Sequence, residues 1–144
     1  MLELYDYELS GNCYKIRLIL SFLNLDYKSK KIEFYPSEEH KSEVFLQINP
    51  LGQLPVISDG GLILRDAQAI LVYLASKYDK ANKWYNVNDP EMLGSVSQWL
   101  AFGDSITGSA SAARLHDTLF YNNFNIDKCR ETAHLQFRIL DEHL

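Results

Sequence analysis

Three short stretches of this 144-residue chain carry side chains whose type and spacing could do chemistry. The first is Ser10-Gly11-Asn12-Cys13-Tyr14-Lys15-Ile16-Arg17. Its Ser-Gly-Asn opening reads as a turn into a helix, where a side chain sees unpaired backbone N–H groups and the positive end of the helix dipole. Such a place stabilises an anion, a thiolate included. The Ser10 hydroxyl can donate a hydrogen bond to a bound sulfur, or it can cap the helix and do nothing more. Ser10 and Cys13 have the spacing of a Cys-x-x-Cys redox pair, but with serine first no dithiol–disulfide cycle can run. Cys13 also lies on an apolar stripe, which reads as core packing rather than as a nucleophile.

The second stretch is Asn49-Pro50-Leu51-Gly52-Gln53-Leu54-Pro55-Val56. A proline opening a strand in a compact turn is a candidate cis bond, with a trans proline at a strand edge as the plain alternative. A cis bond would turn the N–H and C=O of Leu54 outward, where an extended peptide could pair with them as an added strand. The third stretch, Arg65-Asp66-Ala67-Gln68-Ala69-Ile70, opens another helix. Its free N–H groups suit a ligand carboxylate, and Asp66 either holds an ammonium group or simply caps the helix.

The elements that must position these stretches follow from pattern. Leu2 and Leu4 alternate with polar residues as a first strand; Cys13, Ile16, Ile19, Leu20 and Leu23 recur at helical spacing. Residues 27–35 favour a strand, and Ser37 is a candidate cap for a short helix through Leu46. Residues 55–57 and 62–64 form a hairpin about Asp59-Gly60-Gly61, and a helix carrying Ala67, Ile70, Leu71, Leu74 and Tyr78 follows. The order β-α-β-α-β-β-α requires a parallel strand pair with an antiparallel hairpin added to the same sheet. The predicted organisation is an α/β thioredoxin-like domain over 1–78, a linker over 79–88 and an incomplete all-helical region over 89–144. Asp89-Pro90 opens a helix running to about Arg114. A second helix covers 127–144, with Cys129, Ala133, Phe137, Leu140 and Leu144 as its apolar stripe. Asp104, Thr107 and Ser111 form a polar stripe on the earlier helix, either part of a substrate wall or a solvated face.

Composition narrows the function classes. With 47% hydrophobic and 23% charged residues the chain has the balance of a folded globular protein. A net charge of −5 argues against nucleic acid or an anionic membrane as the main partner, and the cluster Lys28, Lys30 and Lys31 reads as a solvated strand face. No apolar run approaches the roughly 20 residues of a membrane helix, and the opening residues are too acidic for a signal peptide. Two distant cysteines suit a reducing, cytoplasmic compartment. No His/Cys cluster has metal-ligand spacing, so no metal is expected.

Taken together, the three stretches resemble the cytosolic glutathione transferase family, most specifically over residues 1–78. Ser10 to Arg17 resembles the active-site stretch of its serine-type classes, zeta-like and theta-like. The resemblance implies that Ser10 is catalytic, hydrogen-bonding the glutathione sulfur and favouring its thiolate. It implies glutathione contacts from His40, Gln53, Leu54, Pro55, Asp66 and Ala67, with Leu54 pairing with the cysteinyl backbone and His40 reaching the glycyl end. His40 read alone is equally a solvent-facing residue. Thr107 and Ser111 would wall the site of a small electrophilic substrate, and the family is commonly a homodimer. Where this chain has Asp66-Ala67 the family usually has Glu-Ser; losing that hydroxyl removes a hydrogen bond to a charged group, worth about 1.5–3 kcal/mol. Family members also continue with several more helices, so the sequence reads as C-terminally truncated. Two other roles stand beside glutathione transfer: a non-catalytic binding or dimerisation module of the same fold, and a glutaredoxin-like reductase working through Cys13.

Overall fold

The structure, a computed structural model, describes residues 1–120 and 124–144 and divides into two compact units, Met1–Val96 and Ser97–Leu144. In the first, the alternation of Leu2, Leu4 and Asp6 produces β1 (Glu3–Asp6), and Leu4 and Asp6, with Leu2 just before the strand, are buried on one face. The helix α1 (Gly11–Phe22) buries Cys13, Ile16, Ile19 and Leu20, the stripe expected of it. β2 (Lys28–Lys31) pairs parallel with β1, while β3 (Val56–Asp59) and β4 (Leu62–Arg65) are antiparallel additions, giving the order β2-β1-β3-β4. Gly60 and Gly61, both at positive φ, make the tight turn between β3 and β4. The helix α3 (Ala67–Tyr78) joins α1 in one core with Leu4, Ile57, Ile70 and Leu74, all fully buried. Each such aliphatic side chain contributes about 1.5–3 kcal/mol by leaving water. This is the expected thioredoxin-like arrangement.

Two expectations in the first unit need correction. The strand anticipated over 27–35 ends at Lys31, because β1 ends at Asp6 and offers only its carbonyl, to the Ile32 N–H at 2.9 Å. The chain then leaves the sheet, and Tyr35–Pro36 is cis. Ser37 caps no helix; its hydroxyl donates to the Glu33 carbonyl at 3.4 Å. A 3-10 turn (Glu39–Lys41) comes first, and Ser42 caps α2 (Glu43–Ile48) by accepting the Phe45 N–H at 3.2 Å. Starting there sets Phe45 edge-on against Tyr5 on the sheet face away from Leu4, with ring centres 6.1 Å apart. The lysines of β2 lie on the sheet edge, where charge discourages further pairing.

The chain after Asp89 is helical among the described residues. The Asp89 carboxylate accepts the Glu91 and Met92 N–H groups and opens α4 (Pro90–Ile106), with proline at its first position as expected. The expected helix to Arg114 is not continuous: a π-helical turn (Thr107–Ser111) intervenes before α5 (Ala112–Leu119). The hydroxyl of Ser109 supplies the cause, competing for the carbonyls of Ser105 and Ile106, each 3.2 Å away. It also bonds Gln136 of α6 (Ile126–His143), whose amide donates to Ser105 Oγ at 2.8 Å. Of the stripe anticipated on α6 only Ala133 is buried, and Gln136 joins it, while Phe137 is half exposed and Leu144 fully exposed. No helix among the described residues is long and apolar enough to cross a membrane.

Asp59, the last residue of β3, ties the hairpin to α3. Its Oδ2 accepts from Lys77 Nζ at 2.7 Å, Tyr78 Oη at 2.6 Å and Tyr73 Oη at 2.8 Å. The Lys77 ammonium, with help from the Tyr78 hydroxyl, holds this carboxyl down at about 2. The unfolded chain therefore binds a proton there before the folded one does, and the stabilisation is complete above about pH 4 and lost as pH falls toward 2. Asp59→Asn is expected to lower stability by about 1–2 kcal/mol at pH 7, the partial exposure of Lys77 keeping the effect small. Urea unfolding at several pH values tests this, the two proteins converging below pH 4.

Candidate functional site

Tyr5 faces Val56, and Val56 faces Arg65, so a single row of residues crosses the sheet. β1 runs past this row toward Ser10, β3 arrives at it from Leu54–Pro55, and β4 leaves it toward Asp66. All three sequence-selected stretches therefore emerge at one end of the sheet.

At the first of them, Ser10 has extended backbone and its Oγ accepts the Cys13 N–H at 3.2 Å, the capping geometry. Acting as acceptor there leaves its O–H able to donate outward. The Ser10 N–H donates to the Tyr7 carbonyl at 3.0 Å, and the Tyr7 N–H to Cys13 Sγ at 3.5 Å. Cys13 is fully buried; burial pushes its thiol up to about 11, against smaller opposing effects of Ser10 and Tyr7. At neutral pH the thiolate is then roughly one part in ten thousand, too little for a working nucleophile. The chemistry open to this loop is that of a donor to an external anion.

At the second stretch, Leu54–Pro55 is cis, the alternative that would turn the Leu54 backbone outward. Neither the N–H nor the C=O of half-buried Leu54 has a hydrogen-bond partner among the described residues. Pro55 is buried and Gln53 exposed. The loop is organised by Asn49, which is 1% exposed: its Nδ2 donates to the Gln53 carbonyl at 2.8 Å and its Oδ1 accepts the Leu51 N–H at 3.1 Å. No functional role was expected of Asn49, although asparagine two residues before a turn amide is a recognisable signal.

His40 is 3% exposed, which excludes the solvent-facing reading. Its ring stacks on Phe34 at 4.1 Å, and Phe34 in turn lies 5.6 Å from Tyr7, next to the Ser10 loop. Burial, and the charge of Lys41 after it, hold the imidazole below its ordinary value and so neutral at pH 7. Its Nδ1 is buried with no hydrogen-bond partner among the described residues, a polar atom suited to a ligand group. On its other side the His40 carbonyl lies 3.0 Å from where a Cβ on Gly52 would stand. His40 is thus wedged between the first stretch and the proline loop.

The third stretch begins at Asp66, held at φ +75° and ψ 124°, a conformation costly for a residue with a Cβ. Its Oδ1 accepts the Ala69 N–H at 2.9 Å. Ala67 is buried, so the first turn of α3 presents backbone N–H groups and no hydroxyl there. In the helical unit, Thr107 and Ser111 bracket the π-helical turn and are half-buried, whereas Asp104 is exposed. The Thr107 hydroxyl donates to the Gly103 carbonyl at 3.4 Å. Because the turn widens the helix, the spacing of Asp104, Thr107 and Ser111 does not give the continuous polar face expected of an α-helix, and the buried hydroxyl is that of Ser109. Among the described residues no group of three His, Cys, Asp or Glu side chains could hold a metal ion.

Gly52 offers a direct check on this packing, since it combines φ +58° with the close approach to His40. Gly52→Ala is expected to cost about 1–2 kcal/mol from backbone conformation alone. A denaturation curve measures that cost, and tyrosine and histidine NMR shifts at Tyr7 and His40 should move with it.

Comparison with known proteins fits this geometry. Residues 4–83 match the family described as glutathione S-transferase, N-terminal domain. Glutathione S-transferase theta-1 of Rattus norvegicus is 35% identical over 102 residues, 71% of this chain and 42% of that protein. Glutathione S-transferase theta-2 of Homo sapiens is 43% identical over 72 residues, 49% of this chain and 29% of that protein. The chain therefore spans less than half of these relatives. Among solved structures, a possible glutathione S-transferase from Rhodopseudomonas palustris superposes with a TM-score of 0.83 at 25% identity, covering 99% of this chain and 69% of that one. A glutathione transferase homolog from Lodderomyces elongisporus, solved with two glutathione molecules per subunit, gives 0.78 at 26% identity, covering 98% and 68%. A strand row that gathers a serine-capped helix, a cis-proline loop and a second helix start, within a matched N-terminal domain, makes this chain a member of the glutathione S-transferase family.

Proposed function

We propose that this chain binds glutathione through residues 1–78 and is a serine-type transferase. The observation that carries the reading is the convergence of Ser10, the unpaired Leu54 backbone and the start of α3 at one end of the sheet. Leu54 pairs with the cysteinyl backbone, with Gln53 and Pro55 flanking it. Backbone N–H groups at Asp66 and Ala67 receive the γ-glutamyl carboxylate, and His40 reaches the glycyl end. The cysteinyl sulfur then lies before Ser10, whose O–H donates to it. Loss of the thiol proton to solvent is made easier by that donor and by the α1 dipole, preorganised and needing no proton relay. The thiolate attacks an electrophilic carbon: a C–S bond forms, the bond to the leaving group breaks, and that group departs with the electron pair. A cytoplasmic homodimer is the assembly that family membership favours.

One observation favours a second reading. Ala67 removes a hydroxyl from the γ-glutamyl site, which weakens ligand binding and suits a non-catalytic module. Calorimetry with millimolar glutathione separates the two, because heat of binding is expected of the transferase alone.

Ser10→Ala is expected to leave glutathione affinity within about threefold while raising the pKa of the bound thiol by about one unit, a tenfold loss of thiolate. Thiolate ultraviolet absorbance against pH, measured in the complex, reads this directly; a bound-thiol pKa that is the same in both proteins removes Ser10 from the role.

A further inference from the structure

Asp6 is the polar exception on an otherwise apolar strand face. It is 8% exposed, on the side of β1 that carries Leu2 and Leu4. A carboxylate placed there needs a partner, and removing that partner would leave an expensive buried charge. The partner is Arg17, about two turns along α1 from Ser10, whose guanidinium forms an ion pair with the Asp6 carboxylate.

The same guanidinium reaches the loop between them. Its Nη2 donates to the Glu8 carbonyl at 3.0 Å, and its Nη1 also approaches the Tyr7 carbonyl at 3.5 Å. The Tyr7 carbonyl is the one that accepts the Ser10 N–H, while the Tyr7 N–H is taken by Cys13 Sγ. The Tyr7 N–H, the Tyr7 and Glu8 carbonyls and the Ser10 N–H are therefore all held, and Arg17 holds the two carbonyls from one planar fork. Divergent acceptors of this kind suit a guanidinium and not an ammonium. The other charged groups near Arg17 are Glu8, Lys31 and Glu33, which with Tyr14 line an open cavity of about 560 Å³ beside it.

We propose that Arg17, anchored by Asp6, is a positioning residue for Ser10: it clamps the Tyr7–Glu8 backbone so that the serine hydroxyl is presented to the bound sulfur in one orientation. The inference rests on the proposed role of Ser10 and adds a residue that does not touch the ligand. Merely structural help to the fold would lower stability and leave the ionisation of the bound thiol alone, and the two are therefore separable.

The test uses the full chain with glutathione and reads the bound-thiol pKa from thiolate absorbance, alongside glutathione affinity and urea unfolding. Arg17→Lys keeps the positive charge beside Asp6 but cannot span both carbonyls. It is expected to raise the bound-thiol pKa by about one unit, a tenfold loss of thiolate, with affinity changed less than threefold. Asp6→Asn keeps shape and an acceptor oxygen, and decides by the same criterion should Arg17→Lys fail to fold. A wild-type protein that depresses the thiol pKa together with a folded Arg17→Lys that depresses it equally overturns the inference and spares the role of Ser10. A wild-type protein that leaves the thiol at its free value overturns both.

Discussion

The pairing of Tyr5 with Val56 and of Val56 with Arg65 is the constraint on which the first unit depends. Strand residues alternate between faces, so a slip of one residue in either pairing would carry Leu4 or Ile57 out of the core. Burial of those side chains therefore holds the register, and the register in turn brings three loops to one end of the sheet. Nothing in the loops themselves has to find its neighbours: aliphatic packing behind the sheet does so for them. Helices α1 and α3, which share that core, start at the same end and point their N-terminal N–H groups toward it.

Three aspartates show how one side chain serves different physical ends in this unit. Asp6 lies among apolar neighbours and is tolerated because Arg17 neutralises it and uses the same fork to hold backbone carbonyls. Asp59 sits at the hairpin and gathers a lysine and two tyrosines from α3, a part-buried cluster whose contribution is kept modest by the exposure of Lys77. Asp66 adopts a positive φ to start α3, and its carboxylate takes up an N–H group that the helix leaves unpaired. Only the last stands in a stretch whose pattern pointed to ligand binding, yet the first acts on the same loop as Ser10.

In the helical unit, a polar pair is buried alongside Ala112, Ala113 and Ala133. Gln136 is buried because Ser105 and Ser109 give its amide both a donor and an acceptor, so that its desolvation is matched. The Ser109 hydroxyl also widens the helix into a π turn. An apolar stripe read from α6 alone could not anticipate this, since the partners come from residues 27 and 31 positions earlier in the chain.

Much of the first unit was legible from the residues. The order of elements, the hairpin at Asp59-Gly60-Gly61 and the caps at Ser10 and Asp66 follow from local signals: alternation, helical period, capping side chains and turn glycines, whereas Pro55 was open between cis and trans until the structure gave cis. Local chemistry leaves its mark over four or five residues, and that is the range at which a sequence can be read. The choice of Ser42 over Ser37 was not legible, because it is made by Phe45 finding Tyr5 across the sheet. The burial of His40 between Phe34 and Gly52 and the grip of Arg17 on Asp6, Tyr7 and Glu8 were not legible either. By itself the sequence determined which short segments could cap, turn, pair or meet an anion. Tertiary structure alone decided which of them share a site, because that depends on strand register and core packing, and those are set by contacts between residues distant in the chain.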